Sequence, residues 1–436
     1  NGLKSIPDHT RENDSSAGTF PPDGLLTWSL RLTRWALVGF VALDPISITL
    51  SQICVAVGVL SGAIGWTLER RQGGARRSPD GFPLWIPFLC FTLLTVLSAL
   101  FSEEVPRSLV DSKQIVQVLI LYWALRAAPD VSWARRLLHL FIIVAAGMAL
   151  LGMAQFFLAE GRALARRPAG ALSHFQTFSG VLLLAALPAL SLAAGRGVSR
   201  RERVFGVAMS VILIFGLLVS LTRGAWIGLA AGVAVLLALH GRARWLVLLP
   251  VLAVGLYVAG SADLKQRLLL TVRFDEEASG ERLRMWKAGL RMMRAHPVFG
   301  VGVDMVGRTY PRFRVEGAVK PRTGHLHSNP VQLGAERGLP ALAVWIWIWA
   351  AFFRRGGGAL RRTIRQEGRT PRAETAAAGL AAVAAFLTAG LFEYNFGDSE
   401  VVMMVYFIMA LPFIPGAEGG ASKEFPPEMD TRRTMV

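Results

Sequence analysis

The residues best suited to chemistry are two histidines, His325 and His327, which lie just before a long apolar run. Ser328 or Asn329 can cap a helix and Pro330 fits a first helical turn, so the sequence predicts a helix that begins directly after His327. The positive end of a helix disfavours a charged imidazole and attracts phosphate oxygens. We therefore expect His327 to be neutral and able to accept a proton at an anion-binding place.

The two histidines could instead share one face as metal ligands. Zinc sites in proteins use three or four ligands drawn from cysteine, histidine and carboxylate side chains. Cys54 and Cys90 both lie in apolar runs that read as membrane spans, and neither a cysteine nor a carboxylate accompanies the histidines at ligand spacing. The sequence therefore predicts neither a metal site nor a disulfide.

Arginines form the second group of candidates. Arg223 follows an apolar run in SLTRGAWIGL, and Arg282 lies in the amphipathic stretch GERLRMWKAGLRMMRAHPVFGVG. Arg166 and Arg167 belong to a shorter basic connector, 159–174. Such arginines suit an anionic ligand such as a lipid pyrophosphate, because a guanidinium binds two oxygens and stays protonated. The alternatives are a solvated helix face or side chains that reach lipid headgroups.

Three further residues are weaker candidates. His174 stands where an apolar run begins and could line a cleft. Glu393 and Asp398 lie on the connector FEYNFGDSE and could orient the histidine or an acceptor hydroxyl. Carboxylates on short connectors are more often solvated charges, so both remain minor candidates.

The elements that must position these residues are membrane helices. Of the 436 residues, 53% are hydrophobic and only 18% are charged, and runs near 20 residues recur with almost no charge. A span of ~20 residues crosses the hydrocarbon layer. We predict an all-α, polytopic membrane protein with about 12 transmembrane helices and a large outer loop that contains amphipathic helices. The predicted spans are 27–44, 47–68, 82–101, 113–126, 137–158, 174–195, 203–221, 224–240, 243–260, 331–353, 373–395 and 399–415.

The distribution of charge predicts the topology. A net charge of +17 could indicate nucleic acid, but the arginines cluster in short connectors, as in the cytoplasmic loops of membrane proteins, so we expect no nucleic acid. Both termini are then cytoplasmic and the histidines face the outer side. The predicted divisions are a cytoplasmic tail (1–26), an N-terminal bundle (27–260), an outer loop (261–330), C-terminal spans (331–415) and a second tail (416–436).

One set of motifs resembles a known family. His327 and Ser328, followed by nine residues and Gly338, fit the H-[NSQ]-x9-G pattern of the O-antigen ligase and polymerase superfamily. RLRMW…HPVFGVG and SLTRGAWIGL resemble the core of that family, and the similarity covers roughly residues 170–415. The resemblance implies that His327 activates an acceptor hydroxyl and that Arg223 and Arg282 bind a diphosphate.

The resemblance also implies a reaction. A glycan would pass from undecaprenyl pyrophosphate, in the inner membrane, to a lipid A-core sugar, another lipid-linked glycan or a protein hydroxyl. Neither a metal nor a nucleotide sugar would take part, and no cofactor is expected. The sequence does not separate ligase from polymerase, although the long basic outer loop favours a ligase. A transporter and a non-catalytic envelope-assembly subunit remain the alternatives from other classes.

Overall fold

The computed structural model describes residues 22–71, 83–158, 167–242 and 277–416, and all regular structure in these ranges is helical. Arg166, the predicted span 243–260, residues 1–21 and residues 417–436 lie outside the described residues. The α-helices are α1 (Pro22–Leu43), α2 (Ile48–Arg71), α3 (Trp85–Leu100), α4 (Val105–Asp111), α5 (Leu119–Ala127), α6 (Val131–Leu158), α7 (Phe175–Ala194), α8 (Arg200–Val219), α9 (Arg223–Leu239), α10 (Glu277–Ala295), α11 (Val306–Phe313), α12 (Asn329–Glu367), α13 (Pro371–Ala389) and α14 (Ser399–Ala410).

Four of the described helices are long and apolar enough to cross a membrane, namely α2, α6, α7 and α8. Shorter apolar helices occur at Trp85–Leu100, Arg223–Leu239 and Ser399–Phe413. The predicted all-α class is therefore confirmed for the described part of the chain. The total of about 12 spans stays a prediction.

Two predicted spans differ from the structure. A 3₁₀ segment, Ser112–Val118, interrupts the predicted span 113–126, and α5 continues after it. The predicted span 331–353 begins inside α12, which is broken at Gly338 by a backbone with φ 80° and ψ 173°. Because a left-handed φ favours glycine, Gly338 permits this break. The helix then runs on through the arginine-rich residues 354–367, which the sequence suggested were a connector.

The core of the bundle lies around α7, α13 and α14, whose residues are mostly buried. Small side chains let these helices approach closely, since α13 is rich in alanine and α9 carries glycines on the facing side. A Cβ atom added at Gly228 of α9 would lie 2.7 Å from the Ala385 carbonyl oxygen of α13. Close contact between small residues is a common way for membrane helices to pack.

The basic helix predicted around residue 286 is α10, which ends just before Pro297. Its protein-facing side consists of Met285, Ala288 and Met292, whereas Leu283 and Leu290 are about half exposed. The helical spacing of Leu283, Trp286, Leu290 and Met293 in the sequence predicts one apolar face, whereas in the structure Leu283 and Leu290 are exposed and Met293 is buried. Glu281 fixes the helix, because its carboxylate accepts the backbone N–H groups of residues 319 and 320, both at 3.0 Å.

The segment 296–312 rests on the corner between α3 and α4. Phe299 stacks on Phe101, with ring centroids 4.3 Å apart and planes at 4°. Arg107 of α4 pairs with Asp304 at 3.1 Å. In the sequence, Pro297 predicts the end of the helix, and Gly300 and Gly302 predict a turn after it. The turn is present, since Gly300 has φ 68°. The neighbouring N–H of residue 301 donates to the Ala335 carbonyl freed by the break in α12.

Candidate functional site

His327 occupies the connection between the segment 314–326 and α12. Its backbone is left-handed, with φ 50°, a conformation uncommon outside glycine although histidine is among the residues enriched in it. The flanking backbone is fixed on both sides. The Leu326 N–H donates to the Gln332 side chain at 2.8 Å, and the Asn329 N–H donates to the Gly390 carbonyl at 2.7 Å. The predicted start of a helix after His327 is confirmed, but the Ser328 side chain makes no capping hydrogen bond.

Glu393 lies directly against His327. The Nδ1 atom of His327 is 3.0 Å from one carboxylate oxygen of Glu393, Oε1, and 3.2 Å from the other, Oε2. The two side chains are only 17% and 15% exposed. A carboxylate in this position fixes the tautomer in which Nδ1 carries the hydrogen, so that Nε2 keeps a free electron pair.

Three other groups donate to the same carboxylate. The Gln176 side-chain amide of α7 binds Oε2, and Arg282 of α10 approaches Oε2 at 3.5 Å. The Tyr394 N–H binds Oε1 at 3.2 Å. Burial disfavours the charged form of Glu393, but the hydrogen bond and charge of His327, with Arg282, hold the pKa of the carboxyl below its ordinary value. Glu393 is therefore an anionic centre that joins α7, α10 and the residues before α12.

A buried pair of amides holds the Glu393 loop in place. Asn329 is fully buried, and its side-chain N–H₂ donates to the Asn395 side chain at 2.7 Å. Its carbonyl oxygen accepts the Phe396 N–H at 3.0 Å, and the Asn395 amide donates to the Phe386 carbonyl at 3.0 Å. The first residue of α12 thus binds the loop after α13, which sets the distance between His327 and Glu393.

Both arginines selected from the sequence lie beside this loop. Arg282 donates to the Phe392 carbonyl at 2.9 Å, next to Glu393. Arg223 is half-buried and begins α9, where a Cβ atom added at the following Gly224 would lie 3.6 Å from the Phe392 Cβ atom. Two guanidinium-bearing positions therefore flank the loop of the His327–Glu393 pair.

His174 and Arg167 lie on another side of the loop. His174 caps α7, where its Nδ1 atom accepts the Gln176 N–H at 3.2 Å. Burial lowers the pKa of His174. The nearby charges of His327 and Arg167 lower this pKa further, whereas the Glu393 carboxylate raises it. The Arg167 guanidinium lies 4.5 Å from the centre of the Phe175 ring. His174 is thus a neighbour of the pair without contacting it directly.

Asp398 has different surroundings. Its Oδ2 atom accepts the Thr177 hydroxyl at 2.5 Å. Within the described ranges no hydrogen-bond partner reaches its buried Oδ1 atom. Burial raises the pKa of Asp398 to about 7, and the neighbouring Glu400 adds to the effect. The two carboxylates of the connector therefore separate, since Glu393 meets the histidine and Asp398 meets α7.

His325 is the third member of the cluster. Its position shows that the sequence argument against a metal site, that no carboxylate lies near the two histidines, was incomplete. Its ring centre is 4.2 Å from that of His327, and its Nδ1 atom is 3.9 Å from Glu393 Oε1. Burial and the neighbouring His327 lower the pKa of His325 to about 4, so its ring is neutral near pH 7. A carboxylate thus does accompany the two histidines. It comes from 66 residues further along the chain than His327, where spacing in the sequence cannot show it.

Several residues of the site escaped the sequence argument. Gln176, Gln332, Asn329 and Asn395 are ordinary polar residues at helix starts or in a short connector. The one available signal was position, because each stands within a few residues of a histidine or carboxylate candidate. Amides satisfy buried polar groups without adding charge, and this is the role that they have here.

The arrangement can support a proton transfer next to an anion. Because Glu393 engages Nδ1 of His327, Nε2 is the ring nitrogen that can take up a proton. A histidine held in this tautomer can act as a general base.

Comparison with known protein families gives a match over part of the chain. Residues 208–346 match the family model described as O-antigen ligase. The matched segment contains Arg223, Arg282 and His327 and ends before Glu393. No curated protein matches the chain.

Proposed function

We propose that the protein is an O-antigen ligase-type glycosyltransferase, because residues 208–346 match the O-antigen ligase family model. It moves a glycan from undecaprenyl pyrophosphate to a hydroxyl of a lipid A-core sugar, on the periplasmic face of the bacterial inner membrane. Members of this family are glycosyltransferase-like enzymes of lipopolysaccharide assembly.

The observation that carries the proposal is the pairing of His327 with Glu393 beside Arg282. Transfer from a sugar pyrophosphate needs a base for the acceptor hydroxyl and cations for the leaving group. The matched segment contains His327 and Arg282, and Glu393 lies against both of them. A transporter site would instead place charged groups near the middle of the membrane, at the junction of repeats, and the sequence has no evident internal repeat.

His327 is the proposed catalytic base. Its Nε2 atom accepts the proton of the acceptor hydroxyl while the hydroxyl oxygen bonds to the anomeric carbon of the glycan. Glu393 is a positioning residue, because it holds Nδ1–H and stabilises the imidazolium that forms. The proton later leaves Nε2 to water.

Arg282 and Arg223 are proposed to bind the pyrophosphate. The bond from the anomeric carbon to the pyrophosphate oxygen breaks, and the electron pair stays on the leaving group. Guanidinium groups stabilise that developing charge. A single displacement of this kind inverts the anomeric centre. His174 and Arg167 border the same loop and are proposed as minor contacts of the donor.

The proposed test is glycan transfer by purified protein. Wild type and His327→Ala receive an undecaprenyl-pyrophosphate glycan together with lipid A-core, in a chelator and without nucleotide sugar. We expect wild type to form the lipid A-core product and His327→Ala to form none, with both proteins equally folded by gel filtration and thermal unfolding.

Other products would change the proposal in defined ways. A longer lipid-linked glycan, with lipid A-core untouched, would show a polymerase, and glycan on a protein hydroxyl would show a protein transferase. Equal product from wild type and His327→Ala would remove the histidine from the mechanism. If neither lipid, glycan nor protein acceptor is modified, the transferase proposal is wrong.

A further inference from the structure

The group formed by His325, His327 and Glu393 has the dimensions of a metal site. One ligand atom from each residue lies within 4.8 Å of the other two, and each residue is partly buried. Two imidazoles and one carboxylate are a ligand set that binds Zn²⁺, leaving a fourth position for water or substrate. In the described part of the chain, no other three histidine, cysteine, aspartate or glutamate side chains bring their ligand atoms this close together.

The Glu393 carboxylate lies between other partners and the two histidines. The Oε2 atom of Glu393 is occupied by Gln176 and Arg282, whereas Oε1 lies toward the Nδ1 atoms of both histidines, at 3.0 and 3.9 Å. The Nδ1 atom of His325 is buried, and no hydrogen bond reaches it from the described residues. A buried ring nitrogen without a partner has lost its hydration without compensation, and a metal ion between these atoms would restore a bond to it.

We propose that His325, His327 and Glu393 bind Zn²⁺ or a similar transition-metal ion, and that this ion inhibits the enzyme. The inhibition rests on the proposed role of His327 as the base, whereas the binding site does not. The ion is an inhibitor of a metal-independent transfer and takes no part in the reaction.

The inhibition follows from the tautomers of imidazole. In the metal-free site Nδ1 of His327 carries the hydrogen and Nε2 holds the free electron pair. A metal ion on Nδ1 uses the electron pair of that atom, so the hydrogen leaves Nδ1 and water supplies one to Nε2. The ring stays neutral with no net change in protons, but Nε2 becomes a donor. The acceptor hydroxyl then has no base.

The ligand set also predicts which ions bind. Imidazole nitrogen favours Zn²⁺, Co²⁺, Ni²⁺ and Cu²⁺, whereas Mg²⁺ and Ca²⁺ prefer oxygen ligands. The positive Arg282 near Oε2 opposes a cation, which weakens binding relative to a dedicated zinc enzyme. The site is therefore suited to reversible occupation.

The first experiment measures binding without any activity. Full-length protein in detergent is titrated with Co²⁺, whose visible absorption reports tetrahedral nitrogen and oxygen ligands, and Zn²⁺ is then added as a competitor. We expect one ion per chain in wild type and no effect of Mg²⁺. His325→Gln removes a direct ligand, so its affinity should fall by at least the about 10- to 100-fold that loss of an outer partner causes. The matched control is His296→Gln, since His296 is an exposed histidine of the same outer segment. Equal binding by wild type and His325→Gln, or none, would overturn the site.

The second experiment measures inhibition. The rate of glycan transfer by each protein is divided by the metal-free rate of the same protein. The donor pyrophosphate also binds zinc, but this affects all variants equally. Zn²⁺ should slow wild type and His296→Gln, and a chelator should restore both. His325→Gln should need about tenfold more Zn²⁺ for the same inhibition.

The outcomes separate the two proposals. Metal-free transfer with no zinc binding would remove this inference and leave the transferase intact. Zinc binding without transfer in metal-free buffer would remove the transferase and keep the site. If Zn²⁺ binds but the rate of transfer is unchanged, the ion does not control the tautomer of His327. The proposed inhibition would then be wrong.

Discussion

The two ends of α13 each carry a histidine–glutamate pair, and the pairs differ in what they leave open. At one end, Glu374 binds His240 with 2.5 Å between Oε2 and Nε2, and the side chains are 1% and 2% exposed. The second ring nitrogen of His240 lies 2.7 Å from the Leu236 carbonyl. At the other end, Glu393 engages only Nδ1 of His327.

The same two residue types therefore serve different purposes. The His240–Glu374 pair is closed, because neighbouring groups such as the Arg196 N–H, 3.3 Å from Glu374 Oε1, satisfy what remains. It joins the ends of α9 and α13 to the turn after α7. In the His327–Glu393 pair the carboxylate engages Nδ1 only, so Nε2 lies outside the pair, in a site that two arginine positions border. Histidine and glutamate in contact indicate chemistry only when a ring nitrogen remains available to a substrate.

The largest expected effect is on transfer in His327→Gln. Loss of a general base costs about 10²- to 10⁴-fold in rate, while the partly exposed ring contributes little to folding. Transfer to lipid A-core and thermal unfolding in detergent measure the two properties. If the variant unfolds at a lower temperature but transfers glycan normally, His327 has a structural role, and the two histidine–glutamate pairs do not differ in function.

The opposite pattern is expected for Glu374→Gln and His240→Ala. Removing one partner of a buried pair destabilises a protein by about 3–5 kcal/mol, so the unfolding temperature should fall strongly. Transfer per folded molecule should change far less than in His327→Gln. Loss of transfer at unchanged stability would show that the closed pair is also part of the mechanism.

Glu393→Gln tests whether the open pair acts as a unit. An outer partner that orients a histidine typically contributes about 10- to 100-fold, so transfer should fall by that factor. The double variant with His327→Gln should be no slower than His327→Gln alone, because the residues act through one another. Additive losses in rate would mean that Glu393 has a separate role.

A smaller effect is expected from Asn329→Ala. Removal of the amide leaves the Asn395 side-chain oxygen and the Phe396 N–H without partners, which costs about 1–3 kcal/mol. The Glu393 loop should then hold His327 less well, so transfer falls by less than in Glu393→Gln. The matched control is Asn329→Ser, which is as small and retains a hydroxyl. Equal unfolding temperatures for wild type and both variants would show that the amide pair does not hold the loop.

The smallest expected effect is on the pH dependence of the unfolding temperature. It arises from Glu281, which supports α10, the helix that carries Arg282. Burial disfavours the Glu281 carboxylate, but the N–H groups of Lys320 and Val319, with Arg284, hold its pKa below the ordinary value of 4.5. A lowered pKa contributes stability above 4.5 that is lost as the pH falls through the folded-state value. The unfolding temperature of wild type should fall more between about pH 5 and about pH 3 than that of Glu281→Gln. Parallel curves would exclude this contribution.

Local features were predicted well from the sequence. The helix that follows His327, the end of α10 before Pro297 and the turn at Gly300 all depend on neighbouring residues, whose capping and backbone preferences act over a few positions. The break at Gly338 and the packing face of α10 were not predicted. Both depend on what the rest of the chain places against these segments.

The sequence by itself predicted the all-helical class, the resemblance to the O-antigen ligase family, whose model matches residues 208–346, and three candidate positions, Arg223, Arg282 and His327. Apolar length and short motifs are properties of consecutive residues, so they can be read without a fold. Only the tertiary structure decided which carboxylate meets His327. Glu393 and Asp398 lie five positions apart on one connector, and packing of α7 and α12 against that connector directs one to the histidine and the other to Thr177.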